Sequence, residues 1–310
     1  MSQDGQGGGQ GEVILVALDG SAPSFAALEE ARALAADWQA RLAVVHVEEP
    51  FPGAAASVPI LRDALGLPDP LAEGRVAWQV GQERLQGYLE DVGLGERPIE
   101  RHVRVGSPAQ EIRALVDELQ PSLLVLGRTG AGKVEQLLLG GTSERLLVGT
   151  EVPVLLVGAR AVGPSRRLLV PVDFGPCTAE QLRWVCRLPL AEGAAVTFLS
   201  VYALPSYFWD AVERDVSEAA VEEALRQEYR RLFAELFACR AEGTGAHFVE
   251  AVRQGVPTEE ILAFAQEEGV DSVVVGDRGS SAFSSWLPGS TALKVSRAFP
   301  GNVWVIPGRS

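Results

Sequence analysis

The sequence predicts an α/β protein made of two tandem doubly wound domains, each with a five-stranded parallel sheet. Three observations carry that prediction. Short runs of Val, Leu and Ile, apolar on both faces, alternate with helical patterns along the 310 residues, as expected of parallel strands covered by helices. The chain also repeats itself. Val105-Gly106-Ser107-Pro108 before Glu111-Ile112 returns as Gln254-Gly255-Val256-Pro257 before Glu260-Ile261, at an offset of 149, and at the same offset SLLVLG (122–127) matches DSVVVG (271–276). Finally, the length is about twice that of a common domain.

In the first copy, strand Val13–Leu18 precedes a helix over Ser24–Trp38 whose start is set by Pro23 and Ser24. Strand Leu42–Val47 follows, then a Pro/Gly-rich loop and a long polar helix from about Leu71 to Asp91. Strand Glu100–Val105, helix Pro108–Leu119, strand Leu123–Leu126, helix Val134–Val148 and strand Val154–Val157 complete it. The second copy places strands at 168–172, 196–201, 246–252, 272–275 and 303–306, with a long amphipathic helix over Ser217–Phe237. Alternating βα units wind the sheet by right-handed crossovers. The domains are expected at 13–159 and 167–310, joined by a Gly/Pro/Ser/Arg linker at 160–166; residues 1–12, rich in Gly and Gln, read as a flexible leader.

Composition bounds the function. A net charge of −14 argues against broad nucleic-acid or anionic-membrane binding, both of which need basic surfaces. No apolar run approaches the ~20 residues of a membrane helix, and the cytoplasm is the expected compartment. Cys177, Cys186 and Cys239 form no CxxC pair, and His46, His102 and His247 are scattered, so neither a zinc site nor a disulfide framework is expected.

The chemistry is expected after the fourth strand of each copy. Gly127-Arg128-Thr129-Gly130 is followed by nine residues and then Gly140-Gly141-Thr142-Ser143; Gly276-Asp277-Arg278-Gly279 is followed by nine and then Gly289-Ser290-Thr291. A strand ending in Gly at the carboxyl edge of an open α/β sheet is a ligand position, and helix N-termini at Ser143 and Ser290 offer free amides to a phosphate. The plainer reading is that these glycines only make tight turns; the repeated spacing speaks against it. Residues 127–133 read GRTGAGK, nearly a P-loop, but Val134 has no hydroxyl for Mg2+ and the loop follows a late strand.

The spacing G-2x-G-9x-G-[ST], the Asp ending each first strand and the VHV-type second strand resemble the universal stress proteins over roughly Val13 to Ile306. The resemblance implies an adenine-nucleotide alpha-hydrolase-like, Rossmann-like domain that binds ATP or a related adenine nucleotide, with Mg2+ as an optional companion. It implies that Asp19 with Val47, and Asp173 with Val201, hold adenine and ribose. The phosphates then fall to Gly127, Gly130, Gly140, Thr142 and Ser143 in the first copy, and to Gly276, Arg278, Gly279, Gly289, Ser290 and Thr291 in the second. It also implies that the last strands, Val154–Val157 and Val303–Ile306, pair antiparallel within one chain, an intramolecular pseudo-dimer; further homodimerisation stays open.

The copies differ. Gly141 stands where the pattern wants a hydroxyl, and Asp277 brings a negative charge into the second Gly turn unless Mg2+ or Arg278 offsets it. The only lysines, Lys133 and Lys294, lie near the two loops and read either as phosphate contacts or as surface solubility. Asp19 and Asp173 also have a bland alternative as helix caps. Three functions remain open. The first is a regulatory, signalling nucleotide binder in the stress response. The second is a slow ATPase, for which no catalytic base is evident. The third is a ligand-free interaction scaffold, kept alive by Gly141, Asp277 and the aromatic run Tyr202–Trp209, which reads as a pocket cover or as core.

Overall fold

A computed structural model describes residues 11–49, 70–95, 99–128, 139–148, 150–158, 163–203, 217–238, 245–277 and 290–308. The chain divides into two compact units, 1–131 and 132–310. It has the duplicated α/β architecture that the repeat predicts.

Unit 1 contains β1 (Val13–Ala17), α1 (Ala22–Asp37), β2 (Arg41–Glu48), α2 (Pro70–Asp91), β3 (Glu100–Val105), α3 (Pro108–Leu119) and β4 (Leu123–Gly127). Its strands are parallel in the order β3-β2-β1-β4. Ile14, Leu15, Val16, Leu123, Leu124 and Val125 are wholly buried, which is why both central strands read as unbroken apolar runs. Helix α1 begins two residues earlier than its Pro23-Ser24 signal suggests. Ser21 is the N-cap, with its hydroxyl accepting from the Ser24 amide at 3.3 Å, and Pro23 sits inside the first turn, where no amide is needed. Helix α3 starts at Pro108 and stops at Gln120, whose left-handed backbone (φ 46°) turns the chain.

Unit 2 contains α4 (Gly141–Leu147), β5 (Val154–Val157), β6 (Ser165–Pro171), α5 (Pro176–Val185), β7 (Leu190–Tyr202), α6 (Glu218–Ala238), β8 (His247–Gln254), α7 (Pro257–Glu267), β9 (Ser272–Gly276), α8 (Ser290–Ala298) and β10 (Asn302–Ile306). Its strand order is β5-β10-β9-β6-β7-β8. The five strands of the second copy are parallel throughout, and β5 joins β10 antiparallel. Leu155 faces Trp304 in register, and both are buried. The Gly158 amide donates to Asn302 Oδ1 at 3.0 Å. A Cβ on Gly158 would stand 2.3 Å from the Pro300 carbonyl oxygen, so only glycine fits this close approach.

Two expectations are corrected here. Helix α4 does not reach back to residue 139; Gly140 is extended (ψ 146°) and caps a helix that starts at Gly141. The apolar stretch Leu137–Leu139 imitates helical periodicity; of it only Leu139 is described, outside the helix. Strand β7 starts six residues before Val196, because β6 continues its pairing with a register shift between Ser165 and Arg167. The repeat is visible in detail: Gly106 (φ 150°) and Gly255 (φ 155°) end β3 and β8, and a Cβ on either would press on Glu111 or Glu260.

Candidate functional site

Register sets the site level in each copy. Ala17 pairs with Val45 and Val16 with Val125. Asp19 and Val47 therefore lie side by side, two residues past that pair, and Gly127 is level with Leu18 on the other neighbour of β1. In the second copy Pro171 pairs with Leu199 and Leu169 with Val273, so Asp173 sits beside Val201 and Gly276 is level with Val172. Both copies thus bring Asp, Val and Gly to the carboxyl ends of three adjacent parallel strands, the crevice position of open α/β sheets.

The aspartates are tied into their own turns. Asp19 Oδ1 accepts from the Ser21 amide at 2.9 Å and the Ser21 hydroxyl at 2.5 Å, bracing the residue that caps α1. Asp173 Oδ1 accepts from the Gly175 amide at 2.9 Å. Neither Asp is itself the N-cap; Ser21 and Gly175 are. Both Asp side chains are exposed, and Val47 and Val201 are half-buried. At Gly127 the space of the missing Cβ is taken by the start of α1, with the Pro23 carbonyl carbon at 2.6 Å and its oxygen at 2.7 Å. The glycine there lets helix and strand close on each other.

Gly140, Thr142 and Ser143 lie in unit 2, where they form the N-terminal turn of α4; Ser143 is buried and Thr142 half-buried. Glu144 occupies that same first turn, and its carboxylate pairs with Arg297 of α8. Helix α8 opens at Ser290 and Thr291 with no acidic residue in its first turn, and Lys294 is exposed one turn along. A carboxylate at a helix N-terminus already answers the partial positive charge there, so the two helix starts differ electrostatically. Gly130, Arg278, Gly279, Gly289 and Lys133, with most of the run after Tyr202, lie outside the described residues.

Asp277 is turned to a structural task. Its Oδ1 accepts from the Gly308 amide at 2.7 Å and from the Cys177 thiol at 3.7 Å, while its amide donates to the Ile306 carbonyl. At the equivalent place in the first copy, Arg128 is buried, and that burial pushes its guanidinium down to about 10.

Sequence reasoning missed an aromatic prop beside each Asp. In unit 1, Tyr88 of α2 lies against Gly20, where a Cβ would be 2.6 Å from the ring, and it meets Phe25 and His46 edge-on. Burial raises the Tyr88 phenol above its usual range; Arg84 opposes the shift, and Asp19 and Glu48 add to it. His46 Nδ1 is 2.8 Å from the Leu18 carbonyl, and Glu48, 3.3 Å from His46 Nε2, takes both its oxygens to Arg84. In unit 2, Phe174 has a left-handed backbone (φ 54°), and its ring packs on Phe233 and Tyr229. The readable signal was the pairing of Asp19-Gly20 with Asp173-Phe174, a glycine exchanged for an aromatic.

Fold and strand-end arrangement define a duplicated doubly wound α/β protein. Two segments of the chain, residues 12–158 and 164–307, each match the model of the universal stress protein family. The chain belongs to that family. A universal stress protein of Thermus aquaticus is 33% identical over 148 residues, covering 47% of this chain and 98% of its own length. Universal stress protein MJ0531 of Methanocaldococcus jannaschii is 28% identical over 152 residues, covering 46% and 80%. A solved universal stress protein of Archaeoglobus fulgidus has the same fold over 97% of this chain and 100% of its own, with a TM-score of 0.59 at 21% identity. Among the described residues no helix is long and apolar enough to cross a membrane, and no cluster of His, Cys, Asp or Glu is suited to a metal ion.

Proposed function

We propose that the protein binds an adenine nucleotide, ATP foremost, at the strand ends of its repeats and acts as a regulatory binder in the stress response. The observation that carries this reading is the shared register that sets Asp19, Val47 and Gly127, and again Asp173, Val201 and Gly276, on three neighbouring parallel strands. The second copy, domain 167–310, is the stronger site. Its helix start lacks the acid that Glu144 brings to the first, and its Asp277 carboxylate is held by the Gly308 amide. Gly276, Arg278, Gly279, Gly289, Ser290 and Thr291 would hold the phosphates. The antiparallel β5·β10 ladder supports the further reading that the domain at 13–159 and its repeat form an internal pseudo-dimer.

A ligand-free scaffold is the second reading. It is favoured by the Gly127 position, where the start of α1 fills the space that glycine leaves. Nucleotide released by heating the purified protein, identified by chromatography and counted per chain, separates the two. One or two adenine nucleotides per chain support binding. An empty protein with no thermal shift in Mg-ATP leaves the scaffold. Gly279→Val with Gly289→Val should remove binding in the second copy without unfolding it, and steady phosphate release would mark a slow ATPase instead.

A further inference from the structure

At the same sheet end as the strand-end crevice of the second copy, one strand further out, unit 2 holds a cavity of about 360 Å³ between α6 and the last residues of β7 and β8. That volume lies in the range of small-molecule sites, which run from about 300 to 1,000 Å³. Tyr202, Arg226, Tyr229, Arg230, Phe233 and Glu250 are among its lining. Arg226, Tyr229, Arg230 and Phe233 follow the three-and-four spacing that puts residues on one side of a helix. The flank of α6 that borders the cavity thus carries two guanidiniums beside its rings.

The aromatic part is preformed. Tyr202 and Tyr229 have ring centroids 5.9 Å apart at a 32° tilt, within the spacing of favourable ring pairs. Phe233 closes the floor at 1% exposure, and Phe174 backs Tyr229 at 6.1 Å. The charge is also set out by position. Arg226 and Arg230 are both exposed at the helix side, and Glu250 stands on β8. Glu223, bonded to Arg226 at 2.6 Å, lies within the field of both arginines but is not part of the lining. The lining itself carries two guanidiniums and one carboxylate, and an anion entering it would compete with Glu223 for Arg226 while meeting Arg230 directly. A flat ring lying on the tyrosines, with its anionic group toward α6 and away from Glu250, satisfies this arrangement.

We propose that this cavity binds a small aromatic anion, with the ring on Tyr202 and Tyr229 and the charge on Arg226 and Arg230. A free aromatic carboxylate and a mononucleotide share that chemistry. The test uses the full chain and the fluorescent sulfonate 8-anilinonaphthalene-1-sulfonate. The expected result is saturable binding of one probe per chain. It should weaken on the order of tenfold or more when Arg226→Ser and Arg230→Ser are combined, since a hydrogen bond to a charged group contributes about 1.5–3 kcal/mol. Tyr229→Ala should weaken it as well, with circular dichroism confirming an intact fold. Displacement by salicylate assigns an aromatic carboxylate; displacement by AMP assigns a nucleotide. Absence of saturable binding, or wild-type affinity in the arginine variant, overturns the proposal. The Mg-ATP thermal shift, measured on the arginine variant rather than on Tyr229→Ala, whose ring meets Phe174 beside Asp173, reports on the strand-end site.

Discussion

The turns after the first strand of the two repeats solve one problem with different residues. Both hold an Asp whose Oδ1 accepts from the amide two residues on, at 2.9 Å in each case. Both follow it with a residue in the left-handed region, Gly20 at φ 79° and Phe174 at φ 54°. In the first copy the glycine leaves room, and the long helix sends Tyr88 into it. In the second the turn supplies its own ring, which packs on Phe233 at 5.0 Å. What the fold requires beside the Asp is a filled apolar space, and either element can fill it. In the second copy α6 backs the ring of Phe174 with Tyr229 and Phe233 rather than filling the space alone, and the cavity with Arg226 and Arg230 lies on the same helix.

The largest expected effect comes from breaking the β5·β10 ladder of unit 2. Leu155→Asp removes a fully buried leucine, worth about 2–5 kcal/mol, and buries an unpaired carboxylate in its place. Aggregation in size-exclusion chromatography is the expected outcome; a soluble protein with an unchanged melting temperature would mean that the ladder contributes little. Next, exchanging the turn residues tests the comparison itself. Gly20→Phe should cost about 1–3 kcal/mol in urea unfolding through overpacking against Tyr88. Phe174→Gly should cost about 2 kcal/mol, below the ~3–5 of a fully buried Phe, because Phe174 is half-exposed and glycine relaxes its backbone. A neutral Gly20→Phe would show that Tyr88 is not the prop described.

Smaller still, Glu144→Gln should destabilise α4 slightly, because it removes the charge that faces the helix start and pairs with Arg297. The basis is the ~0.3–1 kcal/mol interaction of a charge with a helix end. Calorimetry showing no change would remove the electrostatic distinction between the two helix starts. The smallest effect is in alkali. The Tyr88 phenol is raised in the folded state, so its contribution to stability is whole below its unfolded value of 10.0 and is lost as pH climbs through the higher folded value. Arg128, lowered to about 10, acts in the opposite direction over the same range. The comparison is therefore made between wild type and Tyr88→Phe, and the variant should lose less stability above pH 10.

The legible parts of the fold are those where local and tertiary signals agree. Helix α3 runs from Pro108 to Leu119 as read, because a proline fixes its start and an apolar stripe its length. Strand β3 and strand β5 also keep their predicted limits. The start of β7 was hidden, because Leu190–Ala195 includes Glu192 and Gly193 and is held extended by pairing, which no local pattern records. In the candidate site, Asp19 and Gly127 were legible as strand-end residues. The packing reason for Gly127 was not, since it depends on Pro23, a residue distant in sequence. Tyr88 and Phe174 look like ordinary members of a helix and a turn; their shared place beside the Asp exists only once the strands are in register.

The β5·β10 ladder also has a consequence in time. Gly158 and Asn302, which bond at the end of it, are 144 residues apart. At synthesis rates of about 5–20 residues per second, the second partner emerges roughly 7–30 s after the first. Throughout that interval Val154–Val157, four residues buried in the finished fold, leave the ribosome as an apolar strand awaiting its antiparallel partner. An unpaired apolar strand is an aggregation hazard, and a nascent chain carrying only the first repeat is exposed to it until β10 arrives.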